Sequence, residues 1–355
     1  MNYQLFGNSG LRVSPLSLGT MTFGEDWGWG SSKETSKQIY DAYMEAGGNF
    51  IDTADVYTNG SSERILADFI QADRDHVVLA TKYTLSLPTH NPNNSGNHRK
   101  NLVQSVEASL KRLKTDYIDF LWVHAYDFAT PIEEMMRSLD DLVRSGKILY
   151  IGMSDAPAWV ISRANTMAEL RGWTSFIGNQ LEYNLTERSP ERDLLPMSKA
   201  LNIGVVAWSP LATGILTGKY IDKGNQGEDG DRLDGSTSYR FNEKNQAIAR
   251  EVVAIAGELG VSPAQLSLAW ILHQGVIPII GARKMHQLED NLKSVDLKLD
   301  AEIIQRLNRV SRIDLGFPHN FVLRDGAKRM MYGGMVDQIE GIRNDNLSRI
   351  EEILG

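Results

Sequence analysis

The stretch Asn49-Phe50-Ile51-Asp52-Thr53-Ala54-Asp55-Val56-Tyr57 is an apolar run that closes on a carboxylate, carries an aromatic hydroxyl and breaks into Thr58-Asn59-Gly60-Ser61-Ser62. A carboxylate at the end of a buried strand is costly unless a cation pairs with it. The next apolar run, His76 to Thr81, ends on Lys82, which can supply one, and the run after that ends on His124. Three successive strand ends thus carry Asp, Lys and His, with Tyr57 just beyond the first. Taken singly, each is an ordinary polar residue at a loop mouth.

Outward from this stretch the same alternation repeats: an apolar run, a polar loop, then a segment with apolar residues three and four apart. The predicted strands are Leu16–Gly19, Asn49–Asp52, Val77–Lys82, Tyr117–His124, Leu149–Ser154, Phe176–Leu181, Ile203–Ser209 and Val276–Gly281. The predicted helices are Ser32–Ala46, Ser61–Ala72, Asn97–Leu113, Thr130–Ser145, Pro157–Arg171, Ser189–Ala200, Asn242–Leu259 and Ser262–Gln274. Thr130-Pro131 and Ser262-Pro263 read as N-caps with Pro at the first position, and Gly146 and Gly260 as stops. Strands joined by helices pair in parallel. Eight in series is the number at which such a sheet closes, so the predicted fold is an α/β (β/α)8 TIM barrel. Nearly continuous apolar runs at Val77–Ala80, Phe120–Val123 and Val205–Ala207 fit strands covered on both faces.

A doubly wound open sheet is the alternative. Gly28-Trp29-Gly30-Ser31-Ser32-Lys33 follows the first strand and opens a helix, with Asp52 downstream where a ribose-binding acid stands, but the third glycine of a dinucleotide fingerprint is missing. The barrel reading takes residues 1–355 as one domain. Residues 1–16 form a hairpin cap turning at Gly7-Asn8-Ser9-Gly10, and residues 313–355 a C-terminal extension whose Phe317, Phe321, Met330, Met331 and Tyr332 are expected to pack back on the body. Asn344–Ile353 reads as a short amphipathic helix. Long polar loops, Tyr83–Gly96 and Tyr220–Glu243, fall on the face where the strands end, which is the active face of this barrel.

A net charge of −8 over 355 residues argues against nucleic acid or an anionic membrane as a partner and for a small molecule. No membrane-length apolar run and no secretory leader pattern is seen, and a cytoplasmic protein is expected. With no cysteine and seven scattered histidines, no metal centre is expected.

At the mouth of a barrel, Asp52, Tyr57, Lys82 and His124 converge. A free tyrosine has a pKa of about 10; an ammonium beside it lowers that value, so Lys82, held protonated by Asp52, is expected to bring Tyr57 toward neutrality as a general acid and base. His124 can hydrogen-bond the same oxygen. Such a site protonates an oxygen gaining negative charge and needs a hydride donor bound on the same face. The later strand ends offer the means: Ser154; Gln180 and Tyr183-Asn184; Trp208, Ser209, Leu211, Gly214 and Lys219; then Gly281, Arg283, Gln287, Asp290 and Asn291. A flat aromatic can stack on a nicotinamide, small residues with Lys219 can sit against a pyrophosphate, and the turn at Arg283 stands where barrels hold phosphate. Each of these has a plain structural reading as well, Tyr183 as a core residue with a satisfied hydroxyl, Arg283 as a solvated helix start.

The chain resembles the aldo-keto reductases over nearly its whole length. The likeness runs through Gly19-Thr20-Met21-Thr22-Phe23-Gly24, Phe50 to Tyr57, Ala80-Thr81-Lys82, Leu113 to Asp119, Ile151-Gly152-Met153-Ser154, Gln180 to Asn184, Gly281-Ala282-Arg283 and Gln287 to Asn291. The resemblance implies a barrel that binds NADP(H), or NAD(H), without a Rossmann fold, reduction of a small-molecule carbonyl substrate, and the tetrad Asp52, Tyr57, Lys82, His124. Asp155 stands where the family commonly has Asn after the Ser of the fifth strand, which resembles the aryl-alcohol dehydrogenase-like and bacterial general reductase branches. A carboxylate there can accept from a carboxamide nitrogen but not donate to its oxygen. The resemblance also admits a second role, a redox-sensing regulatory subunit like the potassium-channel β subunits. For the substrate, Trp27, Trp29, Tyr83, His90, Tyr126 and Phe128, with the tail around Phe317 and Phe321, are expected to line a broad aromatic pocket. Arg283 is expected to favour NADPH by pairing with a 2'-phosphate.

Overall fold

A computed structural model describes residues 1–87, 90–221 and 238–339. The strands in chain order are β1 (Gln4–Leu5), β2 (Arg12–Val13), β3 (Ser17–Gly19), β4 (Phe50–Asp52), β5 (Val78–Tyr83), β6 (Ile118–Val123), β7 (Ile148–Ser154), β8 (Gly178–Glu182), β9 (Gly204–Trp208) and β10 (Ile277–Ile280). β3 to β10 pair in sequence order, all parallel, and β10 closes on β3 to make an eight-stranded barrel. β5 and β6 are buried at every position, which is why their sequences lack polar alternation.

The helices are α1 (Lys33–Glu45), α2 (Ser61–Ile70), α3 (Arg99–Leu113), α4 (Ile132–Arg144), α5 (Ala158–Arg171), α6 (Leu194–Ala200), α7 (Glu243–Leu259), α8 (Pro263–His273), α9 (Met285–Leu292), α10 (Ala301–Val310), α11 (His319–Val322) and α12 (Asp325–Met331). Ser262 caps α8 as expected, accepting from Gln265 N at 3.0 Å, and Gly260 ends α7 in the left-handed conformation. Two local expectations fail. The single helix predicted over Ser189–Ala200 is a 3₁₀ turn, Ser189–Glu191, followed by α6, because Asp193 between them has φ −144°. Thr130 is not the cap of α4: Pro131 holds that position, and the Thr130 hydroxyl donates instead to Asp127 at 2.7 Å.

β1 and β2 form the antiparallel hairpin, and Phe6 from its turn seals the floor of the barrel. Its ring meets Phe50 and Phe120 edge to face, with centroids 5.6 and 5.5 Å away. The interior makes room for these rings with glycine. A Cβ on Gly152 would lie 2.4 Å from Trp122, and one on Gly204 would lie 2.6 Å from Phe6. Bulk is thus concentrated at the floor, and the opposite end, where the strands terminate, is left open for a site. The C-terminal extension departs from expectation: Phe317 is 87% exposed and Met330 75% exposed, with Phe321 and Met331 also exposed. The Asn344–Ile353 segment and parts of both long loops lie outside the described residues.

Candidate active site

Asp52 is the last residue of β4, and the parallel register pairs it with Ala80 of β5. Lys82, two residues farther on, points to the same side as Ala80, so its Nζ reaches the Asp52 carboxylate. The ammonium also donates to the Thr53 carbonyl at 2.9 Å and lies 3.0 Å from Tyr57 Oη. Gln180 in the middle of β8 donates to the other Asp52 oxygen at 2.8 Å. A buried ion pair is thereby given the extra hydrogen bonds it needs. Tyr57 opens a 3₁₀ turn, Tyr57–Gly60, in which Thr58 and Asn59 take φ of 44° and 57°. Strain of that kind persists only where the surroundings impose it. Here the Thr58 hydroxyl donates to Phe23 O at 2.8 Å and accepts from Ser62 N at 3.0 Å.

The electrostatics differ from the sequence expectation in one respect. Burial raises the Tyr57 pKa above its ordinary value, and the Lys82 charge opposes this without overcoming it. The phenol therefore stays protonated through neutrality rather than being drawn toward it. Burial alone would lower Lys82, but the charges of Asp52 and Tyr57 and the hydrogen bonds to them outweigh it and hold the ammonium above its usual range. His124, with its ring 6.0 Å from that of Tyr57 and nearly perpendicular, is pushed down to about 3 by burial and then by the Lys82 charge, so it is neutral.

A cavity of about 1020 Å³ opens above Asp52, Tyr57 and His124. Of the residues singled out in the sequence, Ser154, Asp155, Gln180, Trp208, Ser209, Leu211, Gly214, Lys219, Gly281, Arg283, Gln287, Asp290 and Asn291 all line it. Lys82 is fully buried behind Tyr57. Tyr183 must be corrected. Its ring is fully buried against Trp270, 5.2 Å away, and its hydroxyl donates to Glu191 at 2.6 Å, so it faces the core and not the cavity. The expected aromatic pocket is narrowed as well. Trp27 and Trp29 line the cavity, but Tyr83 is buried in the core, and His90, Tyr126, Phe128, Phe317 and Phe321 are not among its lining.

Two buried polar atoms in the cavity wall, Ser154 Oγ and His124 Nδ1, have no hydrogen-bond partner among the described residues. Buried polar atoms are normally satisfied, so this wall is incomplete without a ligand that brings donors and acceptors. The loop after β9 is strained in the same region: Ser209, Ala212 and Thr213 have φ of 51°, 49° and 56°. Gly214 follows at φ 95°, where a Cβ would meet the folded-over Lys219 chain at 2.9 Å. Asp155 is also left-handed, φ 41°, and accepts from the Trp208 indole N–H at 2.9 Å. Burial pushes its carboxyl up to about 6, against that hydrogen bond and the Lys82 charge.

Arg240 escaped the sequence reading. It forks onto Glu182 at the end of β8, with Nη2 3.0 Å from Oε2, and its guanidinium lies 5.8 Å from the Trp208 ring. The only local sign was its place in the long loop after β9; the pairing with Glu182, 58 residues away, is invisible in one dimension.

Residues 15–312 match the model of the Aldo/keto reductase family. Among curated proteins, the chain is 40% identical over 333 residues to norsolorinic acid reductase stcV of Emericella nidulans, covering 90% of this chain and 84% of the relative. It is 38% identical over 330 residues to norsolorinic acid reductase of Aspergillus flavus, covering 90% and 83%. To the aryl-alcohol dehydrogenase [NADP(+)] of Phanerodontia chrysosporium it is 37% identical over 344 residues, covering 91% and 89%.

Proposed function

Because the chain belongs to the aldo/keto reductase family, we propose that it reduces aryl aldehydes and ketones to alcohols, reversibly, with Tyr57 as the general acid and NADPH as the reductant. The observation that carries this reading is the hydrogen-bonded series Asp52–Lys82–Tyr57 at the bottom of a cavity whose wall holds two unsatisfied polar atoms. Bound NADPH supplies the hydride. Tyr57, protonated at neutral pH, gives its proton to the carbonyl oxygen as that oxygen gains charge. Lys82 steadies the phenolate left behind, and neutral His124 orients the same oxygen. Ser154, Asp155 and Trp208 would hold the nicotinamide, the Ser209–Lys219 loop the pyrophosphate, and Arg283 the 2'-phosphate. The relatives named above are fungal, and one of them is by name an aryl-alcohol dehydrogenase [NADP(+)], which favours the aryl-alcohol dehydrogenase-like branch over the bacterial general reductases.

Tyr57→Phe is expected to lower kcat by about a hundredfold or more, as removal of a positioned acid does, while NADPH still quenches the intrinsic tryptophan fluorescence. Turnover near that of the wild type would overturn the assignment.

A further inference from the structure

Just outside the cavity stand three aromatic side chains for which the chemistry above has no use. Phe128 is 72% exposed and Trp159, in the first turn of α5, is 55% exposed. Tyr126 lies between them: its ring is 4.9 Å from Phe128 and 6.3 Å from Trp159, edge to face in both contacts. Single exposed aromatics are common, but three linked in series through Tyr126 make a patch.

The patch is tied to the cavity wall through the backbone. Tyr126 follows His124 by two residues, and its backbone N–H donates to the carbonyl of Asp155 at 3.4 Å; His124 and Asp155 both line the cavity. It is also held rigidly. Phe128 sits at φ 56°, and the Asp127 carboxylate beside it accepts from the backbone N–H groups of Asn97, Ala129 and Thr130 at 2.8, 2.9 and 2.8 Å. Asn97 returns the contact, its Oδ1 accepting from Asp127 N at 2.8 Å. Fixing a loop so firmly gains nothing for a side chain that only meets water. It does lower the entropic cost of binding a flat ligand against it.

We propose that Tyr126, Phe128 and Trp159 form a distal subsite that seats the outer rings of a polycyclic aryl carbonyl whose reacting group lies at Tyr57 and His124. This deepens the reductase reading and rests on it. The class of ligand follows from the surface, which offers aromatic faces and edges and, in these three side chains, no charge, so it suits neutral fused rings.

The test compares benzaldehyde with 9-anthraldehyde as substrates of the NADPH-dependent reaction. Trp159→Ala and Phe128→Ala are each expected to lower the ratio of kcat/KM for 9-anthraldehyde over benzaldehyde about five- to tenfold, through KM for the larger aldehyde, and Trp159→Phe to restore most of it. An unchanged ratio in both alanine variants would overturn the subsite. So would a change of oligomeric state in sedimentation velocity without a change of ratio, because the patch would then be a subunit contact. A wild-type enzyme that reduces neither aldehyde would overturn the reductase reading itself, and the subsite with it.

Discussion

In the proposed mechanism Tyr57 is the residue on which the chemistry turns, and its protonation decides the direction that is easy at neutral pH. Burial raises its pKa more than Lys82 lowers it, so the acid form is present and the base form scarce. Carbonyl reduction should therefore be level across neutral pH and fall only at alkaline pH, whereas alcohol oxidation should rise with pH. Asp52 acts on this limb at one remove: its charge raises both Lys82 and Tyr57. Asp52→Asn is thus expected to move the alkaline limb of the reduction profile to lower pH as well as to slow the rate, the limb belonging to the coupled pair rather than to one group. A pH–rate profile that is only scaled down, with its limb unmoved, would reduce Asp52 to packing. Asp52, Lys82 and His124 were legible as strand-end residues and Tyr57 as the loop residue just beyond the first. The sign of the net effect on Tyr57 was not, because the weight of burial against one ammonium depends on how much protein surrounds the ring.

Among the elements, the N-terminal hairpin and the loop after β9 divide the barrel between stability and function. Phe6 plugs the floor at the starts of the strands, far along the barrel axis from Tyr57 at their ends. Removing the ring leaves a cavity among Phe50, Phe120 and the interior glycines. Phe6→Ala is expected to lower the unfolding free energy by about 3–5 kcal/mol, read by urea denaturation, with kcat/KM for benzaldehyde within about twofold of wild type under conditions where the variant is folded. A large kinetic loss in the folded variant would show that the floor and the mouth are coupled. The hairpin was readable from its Gly-Asn-Ser-Gly turn. That it enters the barrel follows only from the space left by Gly152, Gly178 and Gly204, which are far apart in sequence.

At the scale of the whole molecule, a net charge of −8 opposes the approach of a polyanionic cofactor. The cavity lining carries Lys219 and Arg283 in the loops after β9 and β10, while Arg240 is already paired with Glu182 and Asp52 with Lys82. NADPH affinity should therefore weaken as ionic strength rises, and more steeply than NADH affinity, since the 2'-phosphate adds charge that the proposed mode sets beside Arg283. Arg283→Ala is expected to reduce the preference for NADPH over NADH in kcat/KM by about tenfold or more, the scale of a lost charge-assisted contact. Equal preference already in the wild type would remove Arg283 from that role.

By itself, the sequence determined the eight-strand α/β alternation, and with it the face on which Asp52, Tyr57, Lys82 and His124 must meet, because strand period and helix crossover are local properties and barrel closure carries every strand end to one rim. Only the tertiary structure decided that Tyr183 turns into the core, that Arg240 grips Glu182 beside Trp208, and that Tyr57 keeps its proton. Those outcomes depend on which distant groups come together and on how much water they exclude, and no local pattern in a chain encodes either.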